Sequence, residues 1–144
     1  MGCCRGDSGV NDRRVKILLD TNFIMLLAEG IDFFSLIEEE LGLKPTYIVL
    51  GNVIEELLNI GRLNPYVARR IDFILGIIRK KCLIDNSKIN IKDTDEALIE
   101  YALSSKAAVA TNDRELRRKL RELGIPEIYL REESRRVGIE GLVV

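Results

Sequence analysis

The chain has no histidine, no tryptophan and no glutamine among its 144 residues. Without imidazole there can be no Ser-His-Asp or Cys-His nucleophile, no His-liganded zinc or haem and no imidazole proton shuttle. Asp, Glu, Lys, Tyr or a metal must carry any catalysis. Cysteine is scarce: Cys3, Cys4 and Cys82 are odd in number and lack the spacing of a zinc site or a disulfide framework. No apolar run has membrane-spanning length and no signal peptide is recognisable, so the expected setting is a reducing cytoplasm without membrane contact. Met1-Gly2 invites N-myristoylation, but Gly6 stands where that motif wants Ser or Thr. A glycine-rich phosphate loop is missing, which excludes an NTPase of that type. Neither charge is in excess: 22 Lys+Arg face 23 Asp+Glu, for a net charge of −1. No global positive field draws in nucleic acid, so any such binding rests on a local patch.

What is present suits one globular domain. Apolar residues make up 47% and charged residues 31%, enough for a core and a wetted surface. Residues 1–14 are polar and glycine-rich and read as a flexible tail, leaving 15–144 as the domain. Short apolar runs at 15–19, 46–50, 82–84, 107–110 and 127–130 read as strands. Helical stretches are expected at 23–29, 31–41, 52–61, 65–81, 93–105 and 114–123. Thr21 or Asn22 would cap the first, and Gly42 and Gly124 would stop the second and last. Strands that alternate with helices and are apolar throughout predict a three-layer α/β/α fold with a central, mainly parallel sheet of about five strands. The segment after 130 is polar and has no assigned element.

Ligands of such sheets bind at the carboxyl ends of the strands. Four acids fall there: Asp20, Glu56, Asp95 and Asp113. Each also has a bland reading. Asp20 could cap a helix. Asp93 with Glu96 and Asn112 with Glu115 form capping boxes that leave Asp95 and Asp113 in first turns, and Glu56 could be a surface residue. Together they suggest more, because four carboxylates around one crevice repel unless cations lie among them. Mg²⁺ or Mn²⁺, one or two ions, is the hard-cation answer, and such ions acidify water and stabilise charge on a phosphate. On a helical wheel Glu56 lies about 110° from the centre of the apolar stripe and Glu55 about 150°, which favours Glu56 as the inward acid. Asp93 is the better N-cap, which leaves Asp95 free to face the crevice.

ILLDTN at 17–22, VIEEL at 53–57, DEALIEYAL at 95–103 and VATND at 109–113 resemble the PIN-domain nucleases over roughly residues 15–131. The resemblance implies a metal-dependent endoribonuclease acting on single-stranded RNA. It places the metal-binding acids at Asp20, Glu56, Asp95 and Asp113, with Thr111 and Asn22 as residues that orient them. VATNDRELRRKL through EIYLR is most similar to archaeal PIN proteins related to the nuclease of the small-subunit processome, which implies a role in rRNA processing. VapC-type toxins, which usually carry Arg where Asn112 stands, are more distant. A homodimer, an antitoxin and a ribosome-assembly protein are the partners this family offers. Other classes remain as rivals: a PIN-like module that binds RNA or protein without cleaving, and a phosphoacceptor domain of the receiver type. The latter has no use for Glu56 and wants Lys where the late strand ends in Arg131.

Arg114, Arg117, Arg118 and Arg121 recur at helical spacing after Asp113 and form one basic stripe, readable as a solvated face or as an RNA-backbone contact. Arg69-Arg70 is expected at the surface, and Arg79-Lys80-Lys81 at a helix C-terminus where cations are favoured. Tyr47, Tyr66, Tyr101 and Tyr129 are too dispersed for a base-stacking platform and are expected in the core or at a groove edge.

Overall fold

The computed structural model describes residues 11–142, with side chains from residue 15. Six strands, β1 (Asn11–Leu19), β2 (Lys44–Leu50), β3 (Cys82–Asp85), β4 (Ala108–Ala110), β5 (Glu127–Arg131) and β6 (Arg136–Glu140), form one sheet in the order β3-β2-β1-β4-β5-β6. The first five are parallel and β6 runs antiparallel to β5. Helices α1 (Thr21–Ile24), α2 (Phe33–Leu41), α3 (Gly51–Leu63), α4 (Pro65–Lys81), α5 (Thr94–Ser105) and α6 (Arg114–Glu122) complete the α/β/α layers. From β1 the chain builds outward through β2 to β3, then returns to place β4 and β5 on the other side. Strand β1 is thus the switch point, where the loops diverge and leave a crevice at the strands' carboxyl ends. A receiver-type sheet would have the order 2-1-3-4-5 instead, so this topology removes that rival.

The buried strand positions explain the uninterrupted apolar runs. Ile17, Leu18, Leu19, Val49, Leu50, Val109 and Ala110 have no exposed surface, as strands covered on both faces require. A cluster of Phe23, Phe33 and Phe34, with ring centroids 4.8 and 4.4 Å apart, fills the space beneath α1 and α2. Among the described residues no helix is long and apolar enough to cross a membrane.

Several boundaries differ from expectation. Strand β1 begins at Asn11, so residues 11–14, expected in the tail, are extended backbone paired near Lys44 with a register shift before Lys16. The rest of that tail, residues 1–10, lies outside the described residues. The sheet has a sixth strand that the polar sequence after 130 did not announce. Gly138 makes it possible: a Cβ there would meet the Tyr129 ring at 2.3 Å, so the bare backbone of β6 forms a berth for the tyrosine on β5. The first helix is short and passes into a 3-10 helix, Met25–Glu29, closed by Gly30 at φ 81°. Its cap is Asp20, whose Oδ1 accepts from the Thr21 N–H, not Thr21 or Asn22. Likewise Asp113, not Asn112, caps α6, and Asn112 turns its side-chain oxygen to the Leu130 N–H on β5. Asp93 caps α5 as expected, accepting from the Asp95 N–H at 3.0 Å.

That cap yields a clean expectation. Asp93→Ala should cost about 1 kcal/mol while Asp93→Asn, which keeps the accepting oxygen, should cost only a few tenths. Urea unfolding checks this. Equal losses in the two variants would assign the effect to charge and not to capping.

Candidate active site

Asp20 ends the central strand with its carboxylate only 5% exposed. Burial of a charge there is tolerated because both oxygens have donors. Oδ1 accepts from the Thr21 N–H and Oδ2 accepts from the Thr111 hydroxyl, each at 2.8 Å. Thr111 is fully buried, and its own oxygen accepts from the Asp113 N–H at 3.1 Å. The hydroxyl of Thr21 donates to Glu56 Oε1 on α3. Two threonines therefore tie Asp20 to Asp113 on one side and to Glu56 on the other. Asp95 reaches the same place from the first turn of α5. The segment before that helix is strapped to α3 by Asn52, whose Nδ2 donates to the Lys88 and Ile91 carbonyls at 2.8 Å each. Gly51 lets this segment approach closely, since a Cβ there would meet Asn86 Oδ1 at 2.0 Å.

The outcome is an open cleft of about 360 Å³ lined by Asp20, Thr21, Asn22, Glu56, Asn59, Ile60, Asp95 and Asp113. All four expected acids meet there, while Glu55 is not part of the lining. Asn22 faces the same cleft, without a hydrogen bond to a carboxylate among the described residues. Among the described residues no Lys or Arg lines the cleft. The electrostatic strain is visible in the acids. Burial raises the Asp20 carboxyl from 3.8 to about 6 despite its two hydrogen bonds, and the charges of Asp95 and Glu56 add to the rise. Burial likewise raises Asp95, with Asp113 and Asp93 as the next causes.

Whether the acids suit a divalent cation can be judged from this donor set. Among the described residues no three acids or thiols stand in the arrangement that holds an ion. Two of the carboxylates are committed to protein donors as caps, and Glu56 to Thr21. A carboxylate oxygen that accepts one hydrogen bond retains a lone pair, so these bonds orient the acids without consuming them. Four carboxylates that share one cleft, with Lys119 the cation acting on Asp95, offer the all-oxygen donor set that a hard divalent ion takes.

The arginine stripe divides in two. The side chain of Glu127 on β5 has almost no exposed surface, and it accepts from Arg117 Nε at 2.7 Å and Arg121 Nε at 3.3 Å. The Arg117 guanidinium also lies 3.7 Å over the Tyr129 ring. Arg114 and Arg118 are exposed and have no ion pair among the described residues, whereas Arg121 is exposed but still reaches Glu127. A helical wheel could not show this, because the deciding partner is on a strand. Thr21, Asn52 and Glu127 are the residues that sequence reasoning missed. The Asp-Thr pair directly after an apolar strand was the available signal for the first. A lone Glu opening an apolar strand was the signal for the last.

A family model described as "PIN like domain" matches residues 17–133. Ribonuclease VapC4 of Methanocaldococcus jannaschii is 31% identical over 124 residues, which cover 83% of this chain and 92% of that protein. Among solved structures, the PIN domain endonuclease Utp24 superposes with a TM-score of 0.72 at 25% identity, covering 89% of this chain and 92% of that one.

Two measurements test the energetics. Asp20 titrates near 3.8 unfolded and near 6 folded, so the fold holds this proton more tightly than the unfolded chain does. The stability this proton confers is fully present below the unfolded value and is lost as pH rises through 6. The difference corresponds to about 3 kcal/mol. In chelator, thermal melts of the wild type should therefore weaken between about pH 4 and about pH 7 more than those of Asp20→Asn, which should equal or exceed the wild type at neutral pH. A large loss in the variant at neutral pH would make Asp20 a structural cap alone. Separately, Arg117→Ala should cost about 3 kcal/mol by leaving Glu127 buried with one partner. Arg118→Ala should stay within about 0.5 kcal/mol. Equal effects would deny the division of the stripe.

Proposed function

The chain belongs to the PIN like domain family of nucleases, and on that premise we propose that it is a metal-dependent endoribonuclease that hydrolyses single-stranded RNA, with a role in rRNA processing. The observation that carries this reading is the meeting of Asp20, Glu56, Asp95 and Asp113 in one cleft whose lining has no basic side chain. In this reading these four acids hold one or two Mg²⁺ or Mn²⁺ ions. The bound metal would neutralise charge on the scissile phosphate and make water a stronger nucleophile.

The chain's own residues set the stage for that chemistry. Thr111 and Thr21 fix the Asp20 carboxylate in one orientation, and Thr111 also anchors the backbone of Asp113. Such second partners keep ligands preorganised. Glu56, in the second turn of α3, lines the cleft and is held by the Thr21 hydroxyl. The burial that lifts Asp20 and, in part, Asp95 lowers the local dielectric and so strengthens the attraction of their charged forms to a cation. Asn22, at the cleft wall, is placed to orient a carboxylate or a water. Arg114 and Arg118 are left to meet the RNA backbone beside Asp113, while Arg117 and Arg121 serve Glu127.

A second reading has its own support in the similarity to Ribonuclease VapC4: a toxin nuclease held inactive by an antitoxin. Co-purification of the native protein separates the two. A small tightly bound protein that suppresses cleavage would favour the toxin reading, and association with ribosomal precursors the processing one. A homodimer is compatible with either.

Cleavage of single-stranded RNA should require Mn²⁺ or Mg²⁺ and stop in EDTA. Glu56→Gln and Asp95→Asn should each lower the rate about a hundredfold or more, the scale for removing one charge-stabilising group. Glu55→Gln and Asp93→Asn should keep most of it. Undiminished cleavage in EDTA, or an active Glu56→Gln beside an inactive Glu55→Gln, would refute the assignment.

A further inference from the structure

The wall of the acidic cleft continues along α3 toward the turn into α4. Asn59 and Ile60 line the cleft with Glu56. Leu63 lies seven residues beyond Glu56, about 20° round the helix and about 10 Å further along its axis. The face that presents Glu56 therefore ends in Leu63. That side chain is 87% exposed, and Tyr66, just past Pro65, is 84% exposed. They are the two most exposed large hydrophobics among the described residues. The turn that displays them is well fixed: Asn64 accepts from the Tyr66 N–H at 3.1 Å and Pro65 opens α4. Every charged residue from 59 to 70 is an arginine, namely Arg62, Arg69 and Arg70, and all three are exposed. Arg62 donates from Nη1 to Asn59 Oδ1 at 3.1 Å, which draws its guanidinium back to the rim of the cleft.

We propose that this corner is a nucleotide subsite for single-stranded RNA beside the cleavage position, where a base stacks on Tyr66 against Leu63 and Arg62 takes a backbone phosphate. The inference rests on the ribonuclease reading above. An exposed aromatic next to arginines is the pairing that single-stranded nucleic acid uses, since every base has a face to stack and every link a charge to meet. The four acids repel an approaching backbone, so a cation at the rim offsets that repulsion where the strand enters. A second copy of the chain is the poorer occupant. A two-fold contact through this corner would set its three arginines against the same three, and like charges across an interface are costly.

The chain has four tyrosines and no tryptophan, so tyrosine emission reports stacking directly. A short oligoadenylate RNA, titrated in EDTA to prevent cleavage, should quench that emission. Tyr66→Ala should abolish most of the quenching and weaken binding about tenfold, while Tyr66→Phe should stay within about twofold. In Mn²⁺ the Ala variant should raise KM with little change in kcat, as lost uniform binding does. Leu63→Ser and Arg62→Gln should each weaken binding in the same sense, and Leu63→Ser provides a second test should Tyr66→Ala fold poorly. Wild-type cleavage together with unchanged binding and quenching in Tyr66→Ala would overturn the subsite alone. A native dimer that Tyr66→Ala dissociates without loss of RNA affinity would overturn it in favour of a second copy. A wild type that neither binds nor cleaves RNA would overturn the ribonuclease reading and the subsite together.

Discussion

The arrangement of this molecule turns on one buried carboxylate at the end of its central strand. Asp20 stands where β1 separates from β2 and β4, so the buried centre of the sheet delivers it to the crevice. An ionised group there needs donors from its surroundings. The fold supplies one from the Thr21 backbone and one from the Thr111 side chain. Both threonines then have a second task, toward Glu56 and toward the backbone of Asp113. Satisfying one costly charge therefore positions two further acids. A hydroxyl suits this role because it donates and accepts at once.

The helix termini serve the same economy. Asp20 and Asp113 each cap the helix that follows them while facing the cleft. Capping and cation binding call for the same feature, a carboxylate at the junction of strand and helix, with one oxygen toward the helix N–H groups. Asp95 is different. Its neighbour Asp93 takes the cap, and among the described residues no donor meets the Asp95 carboxylate. Its placement depends on Asn52, which grips the loop before α5 through two carbonyls.

Much of this was legible in the sequence. ILL, IVL and AVA read as buried parallel strands because the helices on both faces leave no polar position, and the 3-2-1-4-5 order explains why the acids after them converge. Glu56 was separable from Glu55 by helix phase, and Asp95 from Asp93 by capping. What was not legible depended on partners remote in sequence. Strand β6 has no apolar run. Its ladder with β5 buries Val137 and packs Ile139 on the core, and Gly138 between them admits Tyr129. The arginine stripe looked uniform because α6 alone cannot reveal that Glu127 lies under two of its members. The α6 cap falls on Asp113 where the sequence favoured Asn112, and for α1 the cap is Asp20, the alternative offered beside Thr21 and Asn22.

The hydrogen bond from Thr111 to Asp20 joins residues 91 positions apart. During synthesis this span matters. Domains fold as the chain leaves the ribosome, N-terminal parts first. A nascent chain that has emerged only through α5 carries Asp20, Glu56 and Asp95 with the segments of β1, β2 and β3, but not β4, which flanks β1 on its other side. Neither Thr111 nor Asp113 is in place at that stage. The four acids of the cleft can therefore stand together only after β4 has joined β1 and the two flanks of the sheet are one.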